Sequence, residues 1–201
     1  MSLGRKSLLL LLSLVASIST AVGLDKDKKF TPPALSSITA KMTNEGVTVA
    51  AVPYNTAEQA KTAFGKVNPY EHGVLPVLIW IQNDTNKTVK LDRLRVEYID
   101  RDRSRIENAP ASEVQYLKGP NRPNFNPSPI PGVRINRNKN PLAAEEIEMR
   151  AWAAKMLPPG ESAYGFVYFR TGHRSGAKLY VTGMEEAGSG KELFYFEVAL
   201  D

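Results

Sequence analysis

The sequence predicts a mainly β protein, an antiparallel β-sandwich of about seven strands with two short helices and one long Pro/Asn-rich insertion. Three observations carry that expectation. Short runs rich in Val, Ile, Tyr and Phe recur between Val47 and Leu200, clusters of Asn, Asp, Gly and Pro separate them, and only two stretches hold helical spacing. A chain of 201 residues, 42% hydrophobic and 23% charged, suits one such domain and is too ordinary in composition for wholesale disorder. No internal repeat marks a solenoid or a propeller.

The N-terminus reads as an address. Arg5 and Lys6 form a basic start, Ser7 to Ala16 is a leucine-dominated apolar run, and small residues follow, with A-x-A-like sites at Ser19-Thr20-Ala21 and Ala21-Val22-Gly23. This is the pattern of a secretory signal peptide over residues 1–23. An uncleaved anchor is the competing reading, but Ser7 to Leu24 only just reaches the roughly 18 residues a bilayer span needs, and its second half is rich in Ser, Ala, Thr and Gly. Cleavage removes two basic residues and no acidic one, so the net charge of +5 falls to about +3. A charge this small gives no reason to expect nucleic acid, and a membrane partner is expected only if the leader stays attached. The expected destination is the periplasm or the cell exterior.

Residues 24–45 read as a flexible tether, charged first and then Thr31-Pro32-Pro33, ahead of a sandwich domain over 46–201. Val47 to Val52 is the first strand. Thr56-Ala57-Glu58-Gln59 is a capping-box pattern opening a helix over Ala57 to Phe64, with Gly65 as its stop and Phe64 facing the sheet. Val74 to Gln82 is apolar in both phases, which predicts a strand buried on both faces, with Pro76 near its start. Asn83-Asp84-Thr85-Asn86 is a turn cluster. In Thr88 to Ile99, Val89 and Leu91 share one phase while Leu94, Val96 and Tyr98 share the other, so a bulge or bend is required near Asp92-Arg93.

Asp100 to Arg103 is a further turn, followed by a weak strand at Arg105 and a short apolar patch over Val114 to Leu117. Lys118 to Pro141 then holds six prolines, six asparagines, five basic residues and no acidic one, an irregular insertion of a length that is uncommon unless functional or disordered. Asn140, Pro141 and the glutamates after them start a helix expected to continue to Met156, so that the insertion spans 118–157. Ser162 to Phe169, Lys178 to Thr182 and Glu192 to Leu200 close the chain as strands, with glycine-rich turns between them.

Leu157-Pro158-Pro159-Gly160-Glu161-Ser162 followed by Gly165-Phe166-Val167-Tyr168-Phe169 resembles an edge found in immunoglobulin-like sandwich domains of exported bacterial proteins. Val47 to Ala51, Phe64-Gly65-Lys66, Leu75-Pro76-Val77 and Asn83 are similar to an uncharacterised secreted bacterial group. The resemblance touches about half of the mature chain and leaves Lys118 to Trp152 outside. It implies an immunoglobulin-like sandwich and brings no activity and no site residues.

The absence of cysteine removes disulfides, thiolate nucleophiles, Cys-type zinc sites and a lipobox anchor. Only two histidines exist, and no Gly-x-Ser-x-Gly elbow, phosphate loop or EF-hand pattern is present. His173-Arg174-Ser175 is expected to be a solvated hairpin tip rather than part of a triad. Glu145, Glu146 and Glu148 stand where the dipole of a helix start favours them, and Asp100-x-Asp102 is flanked by arginines that make it a poor calcium site. Lys90 to Glu107, with six basic and five acidic residues, reads as a solvated face with weak ion pairs. Asn83-Asp84-Thr85 and Asn86-Lys87-Thr88 match the glycosylation pattern but are better explained as turn chemistry.

The sequence reading is therefore a non-catalytic exported binding or envelope-accessory module without cofactor, metal or catalytic residues. Lys118, Arg122, Phe125, Arg134, Arg137 and Lys139 are its candidate partner-binding residues, toward an envelope protein or acidic polysaccharide. Two alternatives stand beside it. One is a carboxylate-dependent hydrolase, which acidic residues gathered at one end of the sandwich would favour. The other is a structural subunit of an envelope assembly, which exposed Trp80, Tyr164 or Trp152 on a polar surface would favour.

Overall fold

The computed structural model describes residues 30–117 and 140–201. Two compact units are distinguished, Met1–Phe30 and Thr31–Asp201. Phe30 alone of the first is described, and the fold below is that of the second. The expected leader and nearly all of the Pro/Asn-rich stretch lie outside the described residues.

The protein is mainly β, its sheets antiparallel and its helices few and short, an arrangement consistent with a β-sandwich. The first sheet takes the order β1-β2-β3-β8, with β1 Lys41–Asn44, β2 Val47–Pro53, β3 Leu75–Asn83 and β8 Ser162–Phe169. A second, small sheet has the order β10-β4-β7, with β4 Val89–Lys90, β7 Met156–Leu157 and β10 Glu185–Glu186. The third has the order β11-β9-β5-β6, with β5 Arg95–Ile99, β6 Arg105–Glu107, β9 Lys178–Thr182 and β11 Phe196–Ala199. Side chains from all three meet in one apolar cluster, among them Val49, Ile79, Val167 and Phe169 of the first sheet, Val89 and Leu157 of the second, and Tyr98, Leu179 and Phe196 of the third.

β3 is buried on both faces from Leu75 to Ile79, and beyond that only its inner face is, Trp80 and Gln82 being half-buried. Its odd residues point into the cluster, while Leu78 belongs to a cross-strand row with Val52 and Phe166 on the other side. Helix α1, Ala57–Phe64, lies over that row, with Phe64 set 4.8 Å from Phe166 and 6.3 Å from Tyr168 between ring centres. The capping box at its start is present: Thr56 accepts from the Gln59 amide, and Gln59 Oε1 accepts from the Thr56 amide, each at 3.2 Å. Pro76 is tolerated in this central strand because its carbonyl accepts from Tyr54 (2.8 Å) just past the end of β2. In antiparallel pairing a residue's N–H and C=O face the same neighbour, so the missing donor falls where that ladder has ended.

The phase conflict in Thr88 to Ile99 resolves as a change of sheet. The Leu94 amide bonds back to the Leu91 carbonyl at 3.1 Å, and this turn sends β4 into the second sheet and β5 into the third. Gly183, at φ +80°, makes room for it, since a Cβ there would lie 2.0 Å from the Arg93 carbonyl oxygen.

Several expectations are corrected. The stretch expected to be a tether ends early, because Lys41–Asn44 forms β1 against β2. The helix expected from Pro141 to Met156 is a single 3-10 turn at Pro141–Ala143 and then α3, Glu145–Met149. The chain leaves the helix because the edge of β8 offers better backbone partners: the Phe166 amide donates to the Arg150 carbonyl (2.8 Å) and the Trp152 amide to the Phe166 carbonyl (2.9 Å). Gly165 permits this approach, since a Cβ on it would stand 2.7 Å from the Trp152 Cα. The final strand begins at Phe196 rather than Glu192, because Leu193 is buried while Phe194 and Tyr195 both face outward, which breaks the alternation. A short helix α2, Ala111–Val114, occupies part of the region read only as an apolar patch.

Where β3 ends, Asn83 is fully buried. Its Nδ2 donates among the carbonyls of Lys87 (2.7 Å), Leu157 (2.9 Å) and Pro158 (3.1 Å), and its Oδ1 accepts from the amide and hydroxyl of Thr85 (3.0 and 2.6 Å). Its backbone receives the Gly160 amide (2.7 Å) and donates to Glu161 (2.9 Å). In the folded chain this amide nitrogen is therefore committed and inaccessible to glycosylation.

Asn83→Ala removes a donor shared by three carbonyls, of which Lys87 keeps the Thr85 hydroxyl and Pro158 the Glu161 amide, and the expected cost is about 2 kcal/mol, read as a lower urea midpoint at unchanged slope. Gly165→Ala is expected to cost about 2 kcal/mol by forcing residues 150–152 away from β8. A red shift of Trp152 emission would accompany that loss, and an unshifted spectrum with native stability would contradict the packing described.

Candidate functional site

The two principal sheets turn different surfaces outward. On the third sheet the register sets Glu197, Tyr180, Glu97 and Glu107 in one row and Ala199, Lys178, Ile99 and Arg105 in the next. Lys178 pairs with Glu197, and Arg105 pairs with Glu97 at 2.9 Å while lying 4.9 Å above the Tyr180 ring. This face satisfies itself with exposed pairs, each worth little, as the mixed charges of Lys90 to Glu107 lead one to expect.

The outer face of the first sheet is divided. Its upper rows lie beneath α1. Its lower half carries two further rows that cross all four strands: Lys41, Ala50, Trp80 and Tyr164, then Thr43, Thr48, Gln82 and Ser162. Trp80 and Tyr164 stand with ring centres 4.8 Å apart and planes inclined by 41°. Tyr164 is 44% exposed and Trp80 is half-buried. The indole Nε1 of Trp80 is enclosed and has no hydrogen-bond partner. In the adjoining row the Thr43 and Thr48 hydroxyls bond each other at 2.8 Å, and the Gln82 amide donates to Asp84 Oδ1 at 2.9 Å. A shallow groove of about 380 Å³ follows this row, lined by Leu35 and Ser36 on one side and Lys41, Thr43, Thr48, Gln82 and Asp84 on the other. The arrangement joins a pair of aromatic rings to a line of hydroxyl and amide groups.

The sequence reading missed this surface because it weighed each strand alone. The signal is collective: at one end of the sheet, the residues of one phase turn polar or amphipathic in four strands together, at Thr43, Thr48, Gln82 and Ser162.

The sequence-selected residues are placed as follows. Lys118, Arg122, Phe125, Arg134, Arg137 and Lys139 lie outside the described residues. The flanks of their segment meet, since Asn140 Nδ2 donates to the Gln115 carbonyl at 2.5 Å. Asp100 is engaged by Arg174 at 3.0 Å and by the Arg101 amide at 2.6 Å, and Asp102 accepts from the Ser104 amide at 2.9 Å. Among the described residues, no group of three or more His, Asp or Glu is placed to hold a metal. A smaller cavity of about 110 Å³ lies beside Ala109, Trp152 and Phe166, and Trp152 Nε1 is enclosed without a partner.

His173 is not the solvated tip expected. The loop that carries it is fastened to two tyrosines: the His173 amide donates to Tyr70 Oη (3.3 Å) and the Arg174 amide to Tyr98 Oη (3.0 Å). The imidazole is half-buried, 6.4 Å from the Tyr98 ring, with Nδ1 unpaired. Burial pushes its pKa below the ordinary value, and Asp201 pulls weakly the other way.

No family model matches this chain, and no curated protein matches it. Five chains among the solved structures are similar to it, among them the following two. The yjhA protein from Bacillus subtilis is 9% identical, with a TM-score of 0.40, over 82% of this chain and 98% of its own. A functionally unknown protein from Listeria monocytogenes EGD-e is 12% identical, with a TM-score of 0.34, over 80% of each chain. Both likenesses are too distant to carry a functional residue across. No helix among the described residues is long and apolar enough to cross a membrane.

Because the folded state lowers the His173 pKa, the unfolded chain binds that proton more readily. The stabilisation tied to neutral His173 is complete above the ordinary histidine value of about 6.5 and is lost as pH falls below it. The urea midpoint is expected to fall between about pH 7.5 and pH 5.5, and His173→Gln to flatten that slope. Identical slopes in the two proteins would remove His173 as the cause.

Proposed function

We propose that this chain is an exported, non-catalytic binding module of immunoglobulin-like sandwich architecture, working in the periplasm or outside the cell. Its recognition surface is the open half of the first sheet's outer face. The observation that carries this reading is the pair of rows through Trp80–Tyr164 and Thr43–Thr48–Gln82–Ser162, where Lys41, Thr43, Tyr164 and Ser162 are exposed, Trp80 and Gln82 half-buried and Ala50 and Thr48 buried, on a sheet whose other half is sealed by α1. Export is supported by the basic start, leucine run and small-residue sites of residues 1–23. The sandwich class is supported by the Pro158-Pro159-Gly160 turn, which docks on Asn83 as it delivers the chain into β8. Binding sites built on strands hold their side chains more firmly than sites on loops. The basic segment around Lys118 to Lys139 is a secondary, charge-driven contact in this reading.

A second reading, a structural subunit of an envelope assembly, is favoured by the same exposure of Tyr164 beside Trp80. A protein partner would bury that pair in a lasting interface.

The two are separated by capture from envelope extract with the wild type, a Tyr164→Ala/Gln82→Ala variant, a Glu97→Gln variant of the opposite face, and a chain whose 118–140 segment is a Gly/Ser linker. A component captured by all but the first variant, and released by dilution, supports the module. Stoichiometric co-purification through the same face supports the subunit. Capture lost only with the linker chain overturns the placement on the sheet.

A further inference from the structure

Resting on that binding-face reading, we propose that the open half of the first sheet is a site for a neutral polysaccharide. Its sugar rings stack on Tyr164 and Trp80, and its hydroxyls meet the row Thr43–Thr48–Gln82–Ser162.

The chemistry of the face selects this ligand. A sugar ring has C–H groups on its faces and hydroxyls around its rim, so it needs an apolar plane bordered closely by donors and acceptors. Trp80 and Tyr164 supply the plane, and residues two positions along the same strands, Gln82 and Ser162, supply the border. That spacing is about 7 Å along a strand, within reach of one ring and its substituents.

Charge points the same way. The groove is lined by one cation, Lys41, and one anion, Asp84, and the latter is already bonded to Gln82. Such a surface projects no field of one sign, which an acidic polymer, a nucleic acid or an anionic membrane would require. Size fits as well. The groove of about 380 Å³, which runs over Thr43, Thr48 and Gln82 beside the aromatic pair rather than over it, lies within the range of small-ligand sites. The rows cross three inter-strand gaps, about 14 Å in all, enough for a short run of linked rings.

The test uses the full chain, expressed with its leader and purified as the cell processes it. Only two tryptophans exist, and Trp152→Phe leaves Trp80 as the sole indole, so its emission reports the site directly. Hexasaccharides of β-1,4-glucose, β-1,4-N-acetylglucosamine and α-1,4-glucose are titrated at low and high salt, with polygalacturonate as an acidic comparison. At least one neutral hexasaccharide is expected to change Trp80 emission saturably and independently of salt. Tyr164→Ala should weaken it about tenfold, the worth of one good ring contact, while Tyr164→Phe, which keeps the ring, retains it. A response only to polygalacturonate, lost at high salt, overturns the proposal. If no glycan moves Trp80 while capture of an envelope component still depends on Tyr164, the carbohydrate assignment falls and the binding face stands. If neither occurs, both fall.

Discussion

Three stretches of chain come together at one buried amide. Asn83 ends the central strand of the first sheet, faces the start of β4 through the Lys87 carbonyl, and holds the β7–β8 connection through the carbonyls of Leu157 and Pro158. The same residue's backbone fixes the turn at Gly160, whose φ of +75° suits glycine and few others. Remove this side chain and three carbonyls lose a shared donor. The second sheet is two residues deep in every strand, and this junction braces the corner where it joins the two larger sheets.

From that corner follows the contrast between the outer faces. The third sheet carries two cross-strand ion pairs on its outer face, Arg105 with Glu97 between β6 and β5 and Lys178 with Glu197 between β9 and β11. The first sheet keeps its even-phase residues apolar only where α1 lies over them. Beyond Leu78 they become Trp80 and Gln82, and beyond Phe166, toward the start of β8, they become Tyr164 and Ser162. Coverage and composition change at the same row, which ties the reach of one short helix to the extent of the open surface.

How much of this was legible in the sequence depended on how local the deciding interaction was. Helix α1, β8 and β9 were read to the residue, because a capping box and a steady alternation are contained within the segment itself. The conflict of phase around Asp92 was legible as a bend, though the change of sheet behind it was not. The long helix expected after Pro141 failed for a non-local reason: its amphipathic spacing is real, but Gly165, far along the chain, opens a place on β8 where residues 150–152 pair instead. β1 was missed because a short segment, three of whose four residues are polar, gains its strand only from β2 beside it. The rows of the first sheet's outer face were missed for the same reason, since each strand contributes only one or two residues and the pattern exists only in the assembled register.

The outer edge of β8 has one more consequence. It is closed on one side of the insertion by Ala109, whose amide reaches the Tyr168 carbonyl (2.7 Å), and on the other by the Arg150–Trp152 pairing with Phe166. The roots of the intervening chain are thus riveted within a few residues of one strand, Val114, Leu142 and Ile147 are buried between them, and Asn140 meets Gln115 where the two flanks close. Closure entropy for such a loop rises only by about 0.6 kcal/mol for each doubling of length. The scaffold is accordingly a permissive host at this point, where segments of very different length and character can be exchanged while the sheets beneath keep their register.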